Sequence, residues 1–320
     1  MSDTSSDGYP SPRPGRRALT AICLTAMLVL VGTAACKPEP QKETVASLRA
    51  KSRTLQGKDR LRIGVRETVP YLGYLDAKTK VRSGFEVELA KALAGELGFA
   101  ENQIDWVTVT TVPDRISALQ SNRADMVLAN LSMTDDREKR LDFAGPYLLV
   151  PQAVMVLRGR PKPLREIADL SAPGVKVCTG TGSTSEAVLR SHRIFPASVD
   201  TSIQCIEGLK SKKYDAYSTD LPILAGFLRG AEDTFEILDL TIAPYEEKIG
   251  VAVPDGDEAF RNLVKYFLNR WQEGPKDSSN PWLRAYDRTL GLTPLDSRYR
   301  SQPRVDAPPD LLDETSKAPR

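Results

Sequence analysis

The chain has 320 residues, 41% of them hydrophobic and 27% charged, with a formal net charge of +2 at pH 7. That length allows one large domain or two lobes sharing a core, and the composition is ordinary for a globular protein. A nearly balanced charge gives no reason to expect nucleic acid or an acidic membrane patch as a partner.

The N-terminus has its own character. Arg13, Arg16 and Arg17 form a basic flank, and the run from Ala18 to Ala35 carries no charge. It ends at Thr33-Ala34-Ala35-Cys36 and gives way to polar Lys37-Pro38-Glu39-Pro40. A basic flank, an apolar stretch and small residues before a break make a secretory signal over residues 1–35. A cysteine directly after the small residues resembles a bacterial lipobox, although Thr33 stands where that motif usually has Leu. The resemblance implies that Cys36 is acylated and becomes the new N-terminus. The alternative is an uncleaved anchor, because a run this long can just span a bilayer. Arg16-Arg17 is only a weak signal for the twin-arginine route. Both anchoring readings leave the rest of the chain outside the cell on a membrane tether.

Cysteine usage agrees with export. With Cys23 in the apolar run and Cys36 the lipid candidate, Cys178 and Cys205 remain as a pair. In an oxidising compartment such a pair is expected to form a disulfide, the alternative being two separate buried thiols. The sequence has no CxxC and no Cys/His cluster, so no metal is expected. It has no phosphate loop or dinucleotide fingerprint, and no cofactor is expected either.

Residues 36–55 are polar and without apolar periodicity, which reads as a flexible tether. From there strands and helices alternate. Leu61 to Val65 is strand-like, and Gly84 opens a helix with Phe85, Leu89, Ala92, Leu93 and Leu97 at helical spacing. Strands follow at Ile104–Val109 and Met126–Leu128, with a helix carrying Ile116 and Leu119 between them. Ala153–Leu157 leads into a second alternation: a strand at Val175–Cys178, helices from Ser185 and near Ile206, and a strand at Asp215–Tyr217. Lys248–Val253 is one more strand, followed by an amphipathic helix with Phe260, Leu263, Val264, Phe267 and Trp271. This pattern predicts an α/β fold with mainly parallel sheets. The economical division is lobe 1 at 56–150, lobe 2 at 151–245, a return to lobe 1 at 246–293, and a disordered tail at 294–320. A cleft between such lobes is the default ligand site.

Three blocks carry a family resemblance. The most specific is Asn130-Leu131-Ser132-Met133-Thr134-Asp135-Asp136-Arg137, continuing to Asp142-Phe143-Ala144-Gly145-Pro146-Tyr147. The others are Ile63-Gly64-Val65-Arg66 with Gly84-Phe85-Glu86-Val87-Glu88-Leu89-Ala90, and Tyr214-Asp215-Ala216-Tyr217-Ser218-Thr219-Asp220. Together, over roughly residues 58 to 290, they resemble the family 3 extracellular solute-binding proteins of ABC importers, in the branch that binds glutamate, aspartate or glutamine. The resemblance implies the two-lobed, type II periplasmic-binding-protein-like fold with two hinge crossings. It also implies a free amino acid as ligand and an ABC permease as partner, with the protein acting as a monomer.

Its site residues carry over position by position. Arg137 would grip the ligand carboxylate with a bidentate, charge-assisted pair. Ser132 and the carbonyl of Asn130 would meet the ammonium, together with Asp220 from the opposite lobe. Ser183 and Thr184 open a helix whose N-terminus attracts anions, with Ser183 and Glu186 at capping-box spacing. Gly180-Thr181-Gly182 can be aligned there instead, a shift of two residues. Arg66 would read an acidic side chain, and Tyr71 and Tyr74 would wall the pocket. Taken alone, Arg137 also reads as part of a solvated helix face, Asp220 and Ser183 as helix caps, and Arg66 as a surface strand residue.

Micromolar binding requires about 8 kcal/mol. Spread over the roughly ten heavy atoms of glutamate, that is within the ceiling for small ligands but more than one arginine can supply, so both lobes must enclose it. A sensor that reports occupancy to a membrane signalling protein is the alternative use of such a domain. A dehydratase-type enzyme on the same fold is the remote one, because the only histidine, His192, leaves little for a base–nucleophile pair.

Overall fold

The computed structural model describes residues 42–160, 163–238, 240, 242, 246–295 and 299–312. Helix α1 (Val45–Lys51) comes first, followed by strands β1 (Leu61–Val65), β2 (Thr68–Val69), β3 (Gly73–Leu75) and β4 (Arg82–Ser83). Next are α2 (Phe85–Glu96), β5 (Ile104–Thr108), α3 (Val112–Gln120), β6 (Met126–Ser132), α4 (Asp135–Glu138) and β7 (Asp142–Val150). The chain then crosses to a second lobe built from β8 (Gln152–Leu157), β9 (Val177–Gly180), α5 (Thr184–Ser191), β10 (Ala197–Val199), α6 (Ser202–Lys210), β11 (Ala216–Asp220), α7 (Leu221–Leu228) and β12 (Phe235–Leu238). It returns through β13 (Glu247–Val253) to α8 (Glu258–Glu273) and α9 (Pro281–Asp287).

The two main sheets repeat one plan. The first has the order β5-β1-β6-β13-β7 and the second β10-β9-β11-β8-β12. In the first, β1 is parallel to β5 and β6, and β13 is antiparallel to both β6 and β7. In the second, β9 is parallel to β10 and β11, and β8 is antiparallel to β11 and β12. Four strands in each sheet therefore run one way. The single reversed strand is the one that enters from the hinge, since a chain arriving from the other lobe enters at the opposite end of the sheet. A small sheet, β2-β3-β4, completes lobe 1. This is the type II two-lobed binding-protein architecture.

Local sequence explains the main elements. All seven residues of β6 are buried, as a central strand covered on both faces requires. Helix α8 buries Phe260, Leu263, Val264, Phe267, Leu268 and Trp271 along one stripe, and Asp257 caps it by accepting from the Phe260 amide at 3.1 Å. Gly84 ahead of α2 has φ 115°, and a Cβ there would stand 2.5 Å from the Leu72 carbonyl, so only glycine fits. Trp282 on α9 stacks edge-on to Phe85 and donates to the Tyr147 carbonyl at 2.7 Å, pinning the returning segment to lobe 1.

Two expectations at the ends change. The stretch expected to be a tether to residue 55 is ordered from Thr44, which caps α1, and Leu48 is buried where α1 packs on α8. Ser52 Oγ and the Thr54 amide both bond Asp257. A seven-residue helix with one buried side chain leaves no readable period, and docking, not propensity, supports it. The tail expected to be disordered from 294 is described at 294–295 and 299–312, and the longer part is laid on lobe 1. Val305 is buried, Asp306 bonds the Gly145 carbonyl and pairs with Lys248, and Leu312 bonds the Glu43 carbonyl. A few apolar anchors and backbone bonds hold a proline-rich strap whose composition reads as disorder.

Cys178 on β9 and Cys205 on α6 form the expected disulfide, with Cα atoms 5.7 Å apart. It closes a loop with a sequence separation of 27. The Cys178→Ala/Cys205→Ala variant is expected to lose about 3–4 kcal/mol of stability in denaturant unfolding. A loss under 1 kcal/mol would show that the unfolded chain gains little freedom.

The lobes meet closely at both rims of the cleft. On one rim, a Cβ on Gly226 of α7 would stand 2.2 Å from the carbonyl oxygen of Pro70 in lobe 1. On the other, a Cβ on Gly182 would stand 3.2 Å from Pro113 Cδ. Gly226→Ala is therefore expected to hold the lobes apart, read as a longer distance between spin labels placed one on each lobe. Gly95→Ala on α2, where a Cβ meets nothing within 4 Å, serves as the control. Equal distances in both variants would rule out Gly226 as a closure contact.

Candidate functional site

The carboxyl ends of β1, β6 and β11 point to the cleft, as open α/β sheets dispose their ligand loops. A narrow cavity lies there, lined by residues of both lobes. Arg66, Asn130, Ser132, Arg137, Ser183, Thr184 and Asp220, all named from the sequence, line this one cavity.

Lobe 1 supplies four of them. Arg66 follows β1, is buried, and donates from Nη2 to Ser202 Oγ at 2.9 Å across the cleft. The surface-strand alternative is thereby excluded. Asn130 sits in β6 with φ 51°, a left-handed conformation that asparagine tolerates. Its amide bonds Glu86 Oε1, and its side-chain amide donates to Asp220 of the other lobe. Ser132 Oγ donates to Glu247 Oε2. Arg137 stands on the short α4, begun by Thr134, and donates to the Ser132 carbonyl at 2.8 Å and the Gly182 carbonyl at 3.4 Å. Burial pushes the Arg137 guanidinium below its ordinary value. It is not a solvated helix residue.

Lobe 2 supplies the rest. Ser183 caps α5 through the Glu186 amide at 3.0 Å, so its capping role is real, and it also lines the cavity. Thr184 Oγ1 donates to Glu247 Oε2 at 2.8 Å. Gly180 and Thr181 line the cavity as well, so both registers of the turn reach it. Asp220 precedes α7 but makes no capping bond; its carboxylate turns toward Asn130. Burial, then the nearby Glu247, pushes the Asp220 carboxyl up to about 7. Tyr71 and Tyr74 do not line the cavity: Tyr71 packs against the core, and Tyr74 pairs within the small sheet. His192 is exposed at the end of α5.

Three charged residues escaped the sequence reading. Arg115 on α3 is buried and lines the cavity, and burial followed by repulsion from Arg66 pushes it down to about 9. The signal was present, because Arg115 sits among Val112, Ile116 and Leu119 on the buried side of α3, where a cation has no packing reason to be. Glu247 begins β13 at the hinge and accepts from Ser132, Thr184 and Gln152 Nε2. Two adjacent acids, Glu246 and Glu247, hid which one faces inward. Glu86, fully buried on α2, accepts from the Asn130 amide and from the Tyr147 hydroxyl at 2.5 Å, and burial raises its carboxyl.

Glu247 sets the polarity of two hydroxyls. A hydroxyl has one donor and two acceptor positions. With their protons directed to Glu247, Ser132 and Thr184 present lone pairs elsewhere, which suits a cationic group. Guanidinium groups and the first turn of α5 suit an anion. Among the described residues no group of His, Cys, Asp and Glu is arranged to hold a metal ion.

Fold and cavity define a two-lobed binding protein for a small solute bearing both charges. The sequence pattern of the bacterial extracellular solute-binding proteins, family 3, matches residues 61–279, and the chain belongs to that family. It is similar to the glutamine-binding protein GlnH of an ABC transporter from Bacillus subtilis, 26% identical over 257 residues, covering 79% of this chain and 90% of the relative. It is also similar to the glutamate-binding protein GluB of Corynebacterium efficiens, 28% identical over 219 residues, covering 65% of this chain and 72% of that one. Among solved structures, an ancestral arginine-binding protein bound to glutamine superposes with a TM-score of 0.64 at 27% identity, covering 73% of this chain and 99% of the other.

The raised carboxyl of Asp220 has a stability consequence. The folded chain keeps that proton up to about pH 7, whereas an unfolded aspartate loses it near pH 4. The stability it contributes is fully present below about pH 4 and is lost as pH rises through about 7. Asp220→Asn is therefore expected to be more stable to denaturant than the wild type at pH 8, by at most about 4 kcal/mol, and equally stable at pH 4. A difference independent of pH would refute the assignment.

Proposed function

We propose that this chain captures a free amino acid, glutamate or aspartate before glutamine, between its lobes outside the cell and delivers it to an ABC permease. The observation that carries this reading is the charge pattern of one cavity: guanidinium groups from lobe 1 face a carboxylate and a helix N-terminus from lobe 2. Arg137 and the first turn of α5 receive the α-carboxylate. Asp220, the Asn130 carbonyl and the lone pairs of Ser132 and Thr184 receive the ammonium. Arg66, beside Ser202, receives the side chain.

Relatives named for binding glutamine and glutamate support the ligand class, and their place in ABC transport supports the partner. The same relatives are named as binding proteins, so we read the chain as a binder and not an enzyme. Anchoring through an acylated Cys36 belongs to the proposal; that residue and the signal at 1–35 lie outside the described residues. Among the described residues no helix is long and apolar enough to cross a membrane.

Capture and release follow from the links across the cleft. Arg66–Ser202, Asn130–Asp220 and Arg137–Gly182 join the lobes directly. Each is worth only about 0.5–3 kcal/mol net, because water satisfies the same groups when the lobes part. A ligand that bonds both lobes at once tips this balance toward closure.

Calorimetric titration with glutamate, aspartate, glutamine, asparagine and arginine tests the reading, after mild denaturation and refolding to strip any carried ligand. Saturable micromolar binding of an acidic amino acid is expected. Arg137→Ala is expected to weaken it at least about 100-fold while the melting temperature stays within a few degrees. Retained affinity in Arg137→Ala would overturn the carboxylate assignment.

A further inference from the structure

The end of lobe 2 away from the cleft carries a second hollow. Strands β9, β10 and β11 are parallel to one another and β8 is antiparallel to β11, so their first residues and the last of β8 share one edge of the sheet. There Arg158, Arg160, Lys212 and Asp215 line a cavity of about 600 Å³, together with apolar Leu157, Val175 and the aromatic Tyr214. That volume is in the range of small-molecule sites. Asp215 stands just ahead of β11 and Asp220 ends it, so the hollow and the interlobe cavity lie at opposite ends of one strand. At roughly 3.3 Å per residue the two aspartates are about 17 Å apart.

The charges of this hollow do not balance. Its one carboxylate, Asp215, is committed first to the backbone, where Oδ2 accepts from the Lys176 amide at 2.9 Å. Oδ1 is left to accept from Arg160 Nη2 at a long 3.3 Å. Arg158 has partners on the neighbouring strand: it donates to the Glu232 carbonyl at 2.9 Å and stands 3.7 Å from Glu236. Arg160 has no such outlet. Its side chain is 14% exposed, and its Nη1 is buried with no hydrogen-bond partner among the described residues. A charged donor shielded from water is costly to leave unmet. Lys212, exposed in the turn before β11, adds positive charge and has no ion pair among the described residues.

We propose that this hollow is a second binding site, for a small soluble organic anion with carboxylate or phosphate oxygens on an apolar body, and that Arg160 is its anchor. The planar guanidinium presents a fork of donors that matches two oxygens of such a group. Lys212 supplies further attraction at the rim, and Leu157, Val175 and Tyr214 cover the apolar body. The recess of Arg160 fits a free molecule that enters the hollow, whereas a membrane surface draws on protruding cations. Because the hollow lies at the far end of β11 from Asp220, it takes its ligand independently of the cleft, and the inference does not rest on the transport reading.

The test titrates benzoate and phenyl phosphate into the full chain by calorimetry, comparing wild type with Arg160→Gln, Arg160→Lys, Lys212→Gln and the cleft variant Arg137→Ala, alongside thermal melts. Wild type is expected to bind at least one of the two probes at a single saturable site, tighter than millimolar. Arg160→Gln is expected to weaken that binding about 10-fold or more, and Arg160→Lys, which keeps the charge, by less. Lys212→Gln is expected to weaken it about two- to fivefold. Arg137→Ala is expected to leave it unchanged. No saturable binding of either probe to wild type at millimolar concentration overturns the inference. So does binding that neither Arg160→Gln nor Lys212→Gln weakens, and so does binding lost in Arg137→Ala, which would place the probe in the interlobe cavity. Should Arg160→Gln lower the melting temperature by more than a few degrees, Lys212→Gln, at an exposed position, decides the outcome alone.

Discussion

Three guanidinium groups, from Arg66, Arg115 and Arg137, are held away from water in one narrow cavity, and three carboxyl groups, Glu86, Asp220 and Glu247, surround them. Buried charge is tolerated only when it is paired and hydrogen-bonded, at a cost of several kcal/mol otherwise. Here the pairing is incomplete within either lobe. Lobe 1 carries the three cations together with Glu86 and Glu247, and the third carboxyl, Asp220, comes from lobe 2 with the α5 N-terminus, so the charge set is completed where the lobes meet. That constraint links closure to ligand chemistry: whatever completes the charge set also stabilises the closed arrangement.

The rest of the fold reads as support for that arrangement. Glu86 holds the left-handed Asn130 by its amide, which aims the Asn130 carbonyl and side chain at the cleft. Glu247 sits where the chain returns to lobe 1 and bonds Gln152, which follows the outgoing crossing. A single carboxylate thus ties both hinge strands to the hydroxyls of Ser132 and Thr184, one from each lobe. The disulfide fixes α6 on β9, and α6 begins at Ser202, the residue that accepts from Arg66. On lobe 1, α1 and the C-terminal strap pack against α8 and β7, so both ends of the described chain reinforce the same lobe. Lobe 2 carries neither and is the lighter body to move.

Much of this was legible in the sequence for a physical reason. Strand and helix periods are local, and the segments with clear apolar spacing, such as β1, α2, β5, α3, β6, β8 and α8, appear within a few residues of where that spacing placed them, whereas β2–β4, β7, β10, α7 and β12 went unread. The residues of the motif from Asn130 to Arg137 are close in sequence because one strand end and one turn of helix carry them all. Asp220 and Thr184 were named through the family resemblance, and the structure places them at a strand end and a helix start that line the cavity. The α1 helix and the strap were not, because short segments with one or two buried side chains owe their order to a surface that only folding creates.

The sequence by itself determined the alternation of elements, the expected pairing of Cys178 with Cys205, and the choice of seven residues that the structure brings around one cavity. Only the tertiary structure decided which charges answer one another across the cleft. Arg115 and Asn130 are 15 positions apart, and Ser132 and Glu247 are 115 apart. No local pattern encodes such pairs. Their geometry follows from how two sheets, each with one reversed strand, place their carboxyl ends face to face. Burial, in turn, is a property of that meeting: the same arginine is a solvated cation on an isolated helix and a desolvated one between closed lobes.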